Sequence, residues 1–248
     1  SGSTTWQNPG VPFMLSGNLT VPAGSSLSLS QGSVIKFSGS NNISVSGQMT
    51  AQGTSGSRIV FTSGSDDTIG GDTNGDGGTT APAPGDWQYI QIASGAGACL
   101  FEYCDMLYAG GYSSYPFTIR AIGGQSSSVS NCSIRNSAGY GVYAIAGGIP
   151  QLSSNYFSDM PNFPIKVHVS EVGRVASSNS FGTLSKRGVG VAGGALANGA
   201  VVLFNKLEVP FLLDASVTMS TGSVVTISPG AVLKFDSGTG LMVAAGTL

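Results

Sequence analysis

The residues of this chain that could do chemistry are concentrated in one place. The stretch "DDTIGGDTNGDGGTTAPAPGDW", residues 66–87, holds five carboxylates: Asp66, Asp67, Asp72, Asp76 and Asp86. No Lys, Arg or His lies between Arg58 and Arg120. With Glu102 and Asp105 that window carries −7, against +5 for the rest of the chain. Like charge at this density is unfavourable unless a cation or water offsets it. Asp72-Thr73-Asn74-Gly75-Asp76-Gly77 matches D-x-N-x-D-G, the opening half of a calcium loop. In that pattern oxygens at alternate positions converge on a hard cation, and the glycine makes the sharp turn. The second half departs from it, because Ala83 stands where such a loop places a bidentate Glu. The pattern predicts a structural calcium site on Asp72, Asn74 and Asp76, with Asp66 or Asp67 and Asp86 as further ligands. Competing readings are a solvated Asp/Asn/Gly turn and a catalytic carboxylate cluster.

Two other groups bear on chemistry. In "DWQYIQI", strand alternation turns Ile90 and Ile92 inward and Trp87, Tyr89 and Gln91 outward. With Tyr112 and Tyr115, the exposed rings Trp87 and Tyr89 would form a platform for sugar stacking. Alternatively, Trp87 and Tyr89 pin the acidic loop to the wall. In "IKVHVS", Ile165, Val167 and Val169 face inward, which leaves Lys166 and His168, the sole histidine, outward. That pair is either a lyase-type base or a solvated face. Cys99, Cys104 and Cys132 have no metal-ligand spacing. Cys104 and Cys132 should stack on neighbouring coils, as a disulfide or as two reduced thiols.

The elements that must position these groups are short and repetitive. Residues 11–37, "VPFMLSGNLTVPAGSSLSLSQGSVIKF", return at an offset of 198 as residues 209–235, "VPFLLDASVTMSTGSVVTISPGAVLKF", with twelve of 27 positions identical. Each copy holds three- and four-residue alternating segments punctuated by glycine, the pattern of half-buried strands. Asn131, Asn155 and Asn179 recur at 24-residue intervals in "SNCSI", "SSNYF" and "SSNSF". Coils of this length with short strands stack as a parallel β-solenoid. The offset of 198 then corresponds to about nine coils, and the equal spacing favours an inward hydrogen-bonded ladder of the three asparagines over ordinary turn asparagines. The whole chain, 1–248, reads as one all-β domain of about nine to ten coils. Residues 63–86 are its one long insertion and residues 1–12 an N-terminal cover. "GLMVAAGTL" stops within a copy of the opening repeat, so the C-terminal end is expected to be truncated or uncapped and to allow end-to-end self-association.

On "LTVPAGSSLSLSQGSVIKF" with its echo, on the "xxN-x-x-I/F…GV" coils and on "GDTNGDGG…PAPGDW", the chain resembles the right-handed parallel β-helix superfamily, the pectate-lyase-like fold. "LFEYCDMLYAG" also looks like an element of secreted bacterial β-helix proteins. The resemblance implies the fold but leaves function open, because this fold carries lyases, hydrolases, adhesins and stalks. Lyases of the family pair acidic calcium ligands with a nearby Arg or Lys, and its pectin hydrolases pair Asp residues with G-H-G and R-I-K. Here Lys166 is about four coils from the acidic loop, and neither hydrolase motif is present.

Composition narrows the classes. Charged residues are 9% of the chain and net charge is −2, with no basic run, which argues against nucleic-acid binding. No apolar run approaches the roughly 18 residues of a membrane span. Few lysines with many Ser, Thr, Gly and Asn fit a bacterial cell-surface or secreted protein. The expectation is a non-enzymatic, calcium-stabilised scaffold or adhesin-like module binding a glycan or another surface. The alternative is a polysaccharide lyase or glycoside hydrolase. An ice-binding wall would need a flat ladder of outward Thr, which the mixed outward residues do not supply.

Overall fold

The computed structural model describes residues 2–112, 114, 116–123, 126–144 and 148–243. The chain forms a parallel β-solenoid of about ten turns. Its first six turns each place one strand on a six-stranded, a seven-stranded and a nine-stranded face. The nine-stranded face runs through almost the whole molecule, from Leu19–Val21 to Leu233–Phe235. Its inward column stacks Ile43, Ile90, Ile119, Val142, Ile165, Val189 and Phe211, all essentially out of water. Alternation produces this column: side chains at every second position enter the core, and the in-register ladder lays like upon like.

Turn length explains the repeat. Most steps along this face take 22–24 residues, but Ile43 to Ile90 takes 47 and Ile90 to Ile119 takes 29. The two sequence copies are therefore fewer than eight turns apart, not nine. They also lie on different faces: Phe13 belongs to the seven-stranded face and Phe211 to the nine-stranded one. The expected N-terminal cover likewise joins the ladder, since Ser3–Trp6 pairs in parallel with Ser26–Leu29. The six-stranded face stops at Gln151–Ser153, and a 3-10 helix, Val169–Arg174, follows in the next turn, burying Val169 and Val172. Further on, Phe235 and Val243 continue apolar positions yet are 42% and 59% exposed.

The asparagine ladder is shifted from its expected membership. Asn155 and Asn179 are buried and linked: Asn155 donates from its backbone N–H and its Nδ2 to Asn179 Oδ1, at 3.0 and 3.1 Å. The next position up is Cys132, whose N–H donates to Asn155 Oδ1 at 3.0 Å; above it stands Cys104. Asn131 is not in this column. The register Ser128↔Gln151 makes this turn 23 residues long, so Asn131 aligns with Ser154 instead. Tyr103, Asn131 and Ser154 all have φ near +50°, forming a left-handed corner that throws the following side chain inward. Arg58 braces this corner by donating to the Cys104 and Asn131 carbonyls, each at 3.0 Å, and pairing with Asp105. The cysteines are free thiols, and those of Cys104 and Cys132 donate to backbone carbonyls. Burial pushes the Cys104 thiol well up from its ordinary range, reinforced by neighbouring Cys132.

Candidate metal centre

The acidic stretch leaves the seven-stranded face after Ile59–Ser63 and rejoins the nine-stranded face at Ile90–Ile92. It lies against the wall and is held at several points. Lys36 projects outward between Met14 and Thr62, yet its side chain is fully covered, and Nζ donates to the Gly71 carbonyl at 2.6 Å. Thr62 Oγ1 donates to Asp66 Oδ2 and Ser63 Oγ to Asp86 Oδ2, both at 2.6 Å. Pro12 packs beneath Gly70, where a Cβ would come within 2.4 Å of the proline ring. The sequence reading missed Lys36: a lone lysine in a strand reads as solvated until the insertion is folded over it.

Within this frame the six expected ligands separate. The carboxylates of Asp67, Asp72 and Asp76 bring one oxygen each within 4.8 Å of one another. Asp66 stands apart, buried, with its two oxygens taken by Thr62 and Thr68. Asp86 clamps the base of the loop through Ser63 and the Ala83 N–H. Asn74 turns its amide nitrogen toward Asp76 and Thr80, so as oriented it presents a donor rather than a ligand oxygen.

The tip is built by its carboxylates. Asp72 Oδ1 accepts from Gly75 N–H at 2.7 Å and Oδ2 from Gly77 N–H at 2.9 Å. Asp76 accepts from the backbone of Gly78, Thr79 and Thr80 and from the Thr80 hydroxyl. The Thr80 hydroxyl bond, with these backbone donors, pulls the Asp76 pKa below the usual carboxylate value. Asp67 is the opposite case. Desolvation, then the charges of Asp72 and Asp76, push its pKa up, and its Oδ1 is buried without a hydrogen-bond donor. Lys36 draws its charge balance from Asp66, Asp67 and Asp72, although desolvation still lowers its own pKa. One lysine cannot neutralise four neighbouring carboxylates. The unpartnered Asp67 oxygen beside two ordered carboxylates suits a hard divalent cation that takes oxygen ligands.

The expected glycan platform is not assembled as a set. Trp87 is fully buried: its ring stacks on Phe37 at 4.2 Å with planes 2° apart, and Nε1 donates to the Leu107 carbonyl at 2.7 Å. Alternation fails there because the strand begins only at Ile90, and Trp87 sits in the preceding bend, where the side chain turns inward. Tyr89 and Tyr112 meet edge to face at 5.7 Å and both contact Phe117. Tyr115 lies outside the described residues. Lys166 is ion-paired with Asp214 on the nine-stranded face, three turns beyond the insertion. Among the described residues no helix is long and apolar enough to cross a membrane. Comparison with protein-family models, with curated proteins and with solved structures finds no match.

Proposed function

We propose that the protein is a non-enzymatic extracellular scaffold, an adhesin-like β-solenoid, whose one long insertion is fixed by calcium at Asp67, Asp72 and Asp76. The observation that carries the reading is the convergence of these three carboxylates with the buried, donor-less Asp67 Oδ1. Backbone carbonyls and water would complete the six to eight oxygens calcium takes. The ion would offset both the desolvation and the carboxylate repulsion that raise the Asp67 pKa, and would join the loop tip to its base. Its task would be structural. The one lysine considered as a lyase base, Lys166, is held by Asp214. It lies three turns away, roughly 14 Å along the axis at ~4.8 Å per turn. The lyase or hydrolase alternative would therefore have to use other groups.

Thermal unfolding with excess calcium and with chelator tests this. A ligand at about a hundred times its Kd stabilises the native state by about 2.7 kcal/mol. For a chain of this size that raises Tm by roughly 5–10 °C. Asp72→Asn or Asp76→Asn should abolish the calcium-dependent rise, whereas Asp86→Asn should lower Tm but retain it. Equal melting with calcium and with chelator would remove the site.

A further inference from the structure

Farther along the nine-stranded face lies a groove that the acidic loop does not touch. Its floor follows from one outward column, in which Tyr143, Lys166, Gly190 and Leu212 are successive ladder partners. Gly190 lets two neighbouring side chains close down over the strand. A Cβ there would come within 2.6 Å of the Phe163 ring and 2.7 Å of the Lys166 side chain. With glycine in place, Lys166 lies across the strand and reaches Asp214, two turns on, while Phe163 leans over from the side. The cavity is about 720 Å³, within the range of small-molecule sites, about 300–1,000 Å³.

The lining combines aromatic faces with three cations and two carboxylates. The Tyr143 ring stacks on Phe117 at 5.7 Å and meets the Tyr140 ring at 5.1 Å, and Phe163 lies beneath the Lys186 ammonium at 5.1 Å. Two of the cations already have carboxylate partners, Lys166 with Asp214 and Arg187 with Glu208. Lys186 and Asp236 then balance one another in sign. A uronate or phosphate ligand calls for surplus positive charge, and a cationic ligand for surplus negative charge. The lining itself has a surplus of one cation, which the Glu208 carboxylate beside it offsets at Arg187, so neither sign dominates. Paired ammonium and carboxylate groups still keep spare N–H donors and spare lone pairs. A sugar ring needs this combination: an aromatic face for its C–H surface, and donors beside acceptors for its hydroxyls.

We propose that this groove binds a neutral saccharide, with Tyr143 as the stacking platform and Lys166, Asp214, Lys186 and Asp236 as the polar contacts. The proposal rests on reading the molecule as a display scaffold, but not on its calcium.

Isothermal titration of the intact chain with neutral gluco-, manno-, xylo- and galacto-oligosaccharides, and with trigalacturonate, tests it. At least one neutral oligosaccharide should bind, with an affinity that changes less than about twofold as salt is raised. Tyr143→Ala should weaken binding at least tenfold. The exposed double variant Lys186→Ala/Asp236→Ala should weaken it severalfold, and its unchanged melting curve keeps the test valid if Tyr143→Ala fails to fold. Binding should survive chelation even where chelation lowers Tm, which separates this site from the calcium site. Binding confined to trigalacturonate and lost in salt would overturn the proposal. So would the absence of binding to the whole neutral panel, or binding that both variants leave intact.

Discussion

At the scale of single residues, the internal polar column shows how one register step decides a side chain's task. Asn131 and Asn155 have the same sequence neighbourhood, but the turn joining them is 23 residues long, so Asn155 stacks under Cys132 and Asn131 falls on the left-handed corner. Asn155 is bonded at both ends of its amide: Oδ1 accepts from Cys132 N–H, and Nδ2 donates to the Val129 carbonyl at 2.8 Å and to Asn179. Asn155→Ala would leave the buried Cys132 N–H without a partner and take from the Val129 carbonyl a donor beyond its strand ladder. An orphaned buried donor costs about 1–3 kcal/mol, so the variant should lose at least about that much unfolding free energy. Asn131→Gly should change it by less than about 1 kcal/mol, because glycine accepts positive φ without strain. Denaturant melts of the two variants check this, and similar losses would show that the corner, rather than the ladder, requires asparagine.

At the scale of elements, the insertion is a loop with its own anchor. Trp87 contributes stacking on Phe37 and a hydrogen bond to the strand Cys104–Leu107, and thereby fixes where the chain re-enters the solenoid. Trp87→Ala should cost about 3–5 kcal/mol, the range for large aromatic truncations in a core. Trp87→Phe keeps the stack, loses the Nε1 donor and should cost about 1–3 kcal/mol. Tyr112→Ala, at a ring 38% exposed, should cost less than either. If Trp87→Ala melts like Tyr112→Ala, the loop is docked by its polar contacts alone. Much of this architecture is legible in the sequence, because strand alternation and a 22–24-residue period are local properties. The acidic cluster is legible for the same reason, since D-x-N-x-D-G is contiguous. Trp87 was not, because its direction is set by a bend just outside the strand. Lys36 was not either, because its burial depends on chain 35 residues away. The groove at Gly190 draws on residues spread over several turns, a relation that no local pattern encodes.

At the scale of the whole molecule, a solenoid couples its parts mainly through neighbouring turns. In such an architecture stability is close to a sum of turn and interface contributions. The insertion touches the turns that carry Lys36, Thr62 and Trp87. The saccharide groove belongs to later turns built around Lys166, Gly190 and Asp214. Calcium removal should therefore act locally. Amide hydrogen exchange compared in calcium and in chelator should show protection lost over residues 64–86 and in the adjoining strands Val34–Phe37 and Ile59–Ser63. The strands Ile165–His168 and Val189–Ala192 should exchange at unchanged rates. A neutral saccharide that binds the groove should do the converse, slowing exchange around Lys166 and Gly190 and leaving the insertion as it was. The physical reason is the geometry of the stack. Each turn's backbone ladder joins only the turns above and below it, and few side chains, Arg58 and Lys166 among them, reach two turns away, so a perturbation must break intervening ladders to travel. Loss of protection along the whole nine-stranded face on chelation would show that the solenoid unfolds as one cooperative unit, with calcium holding all of it rather than one loop.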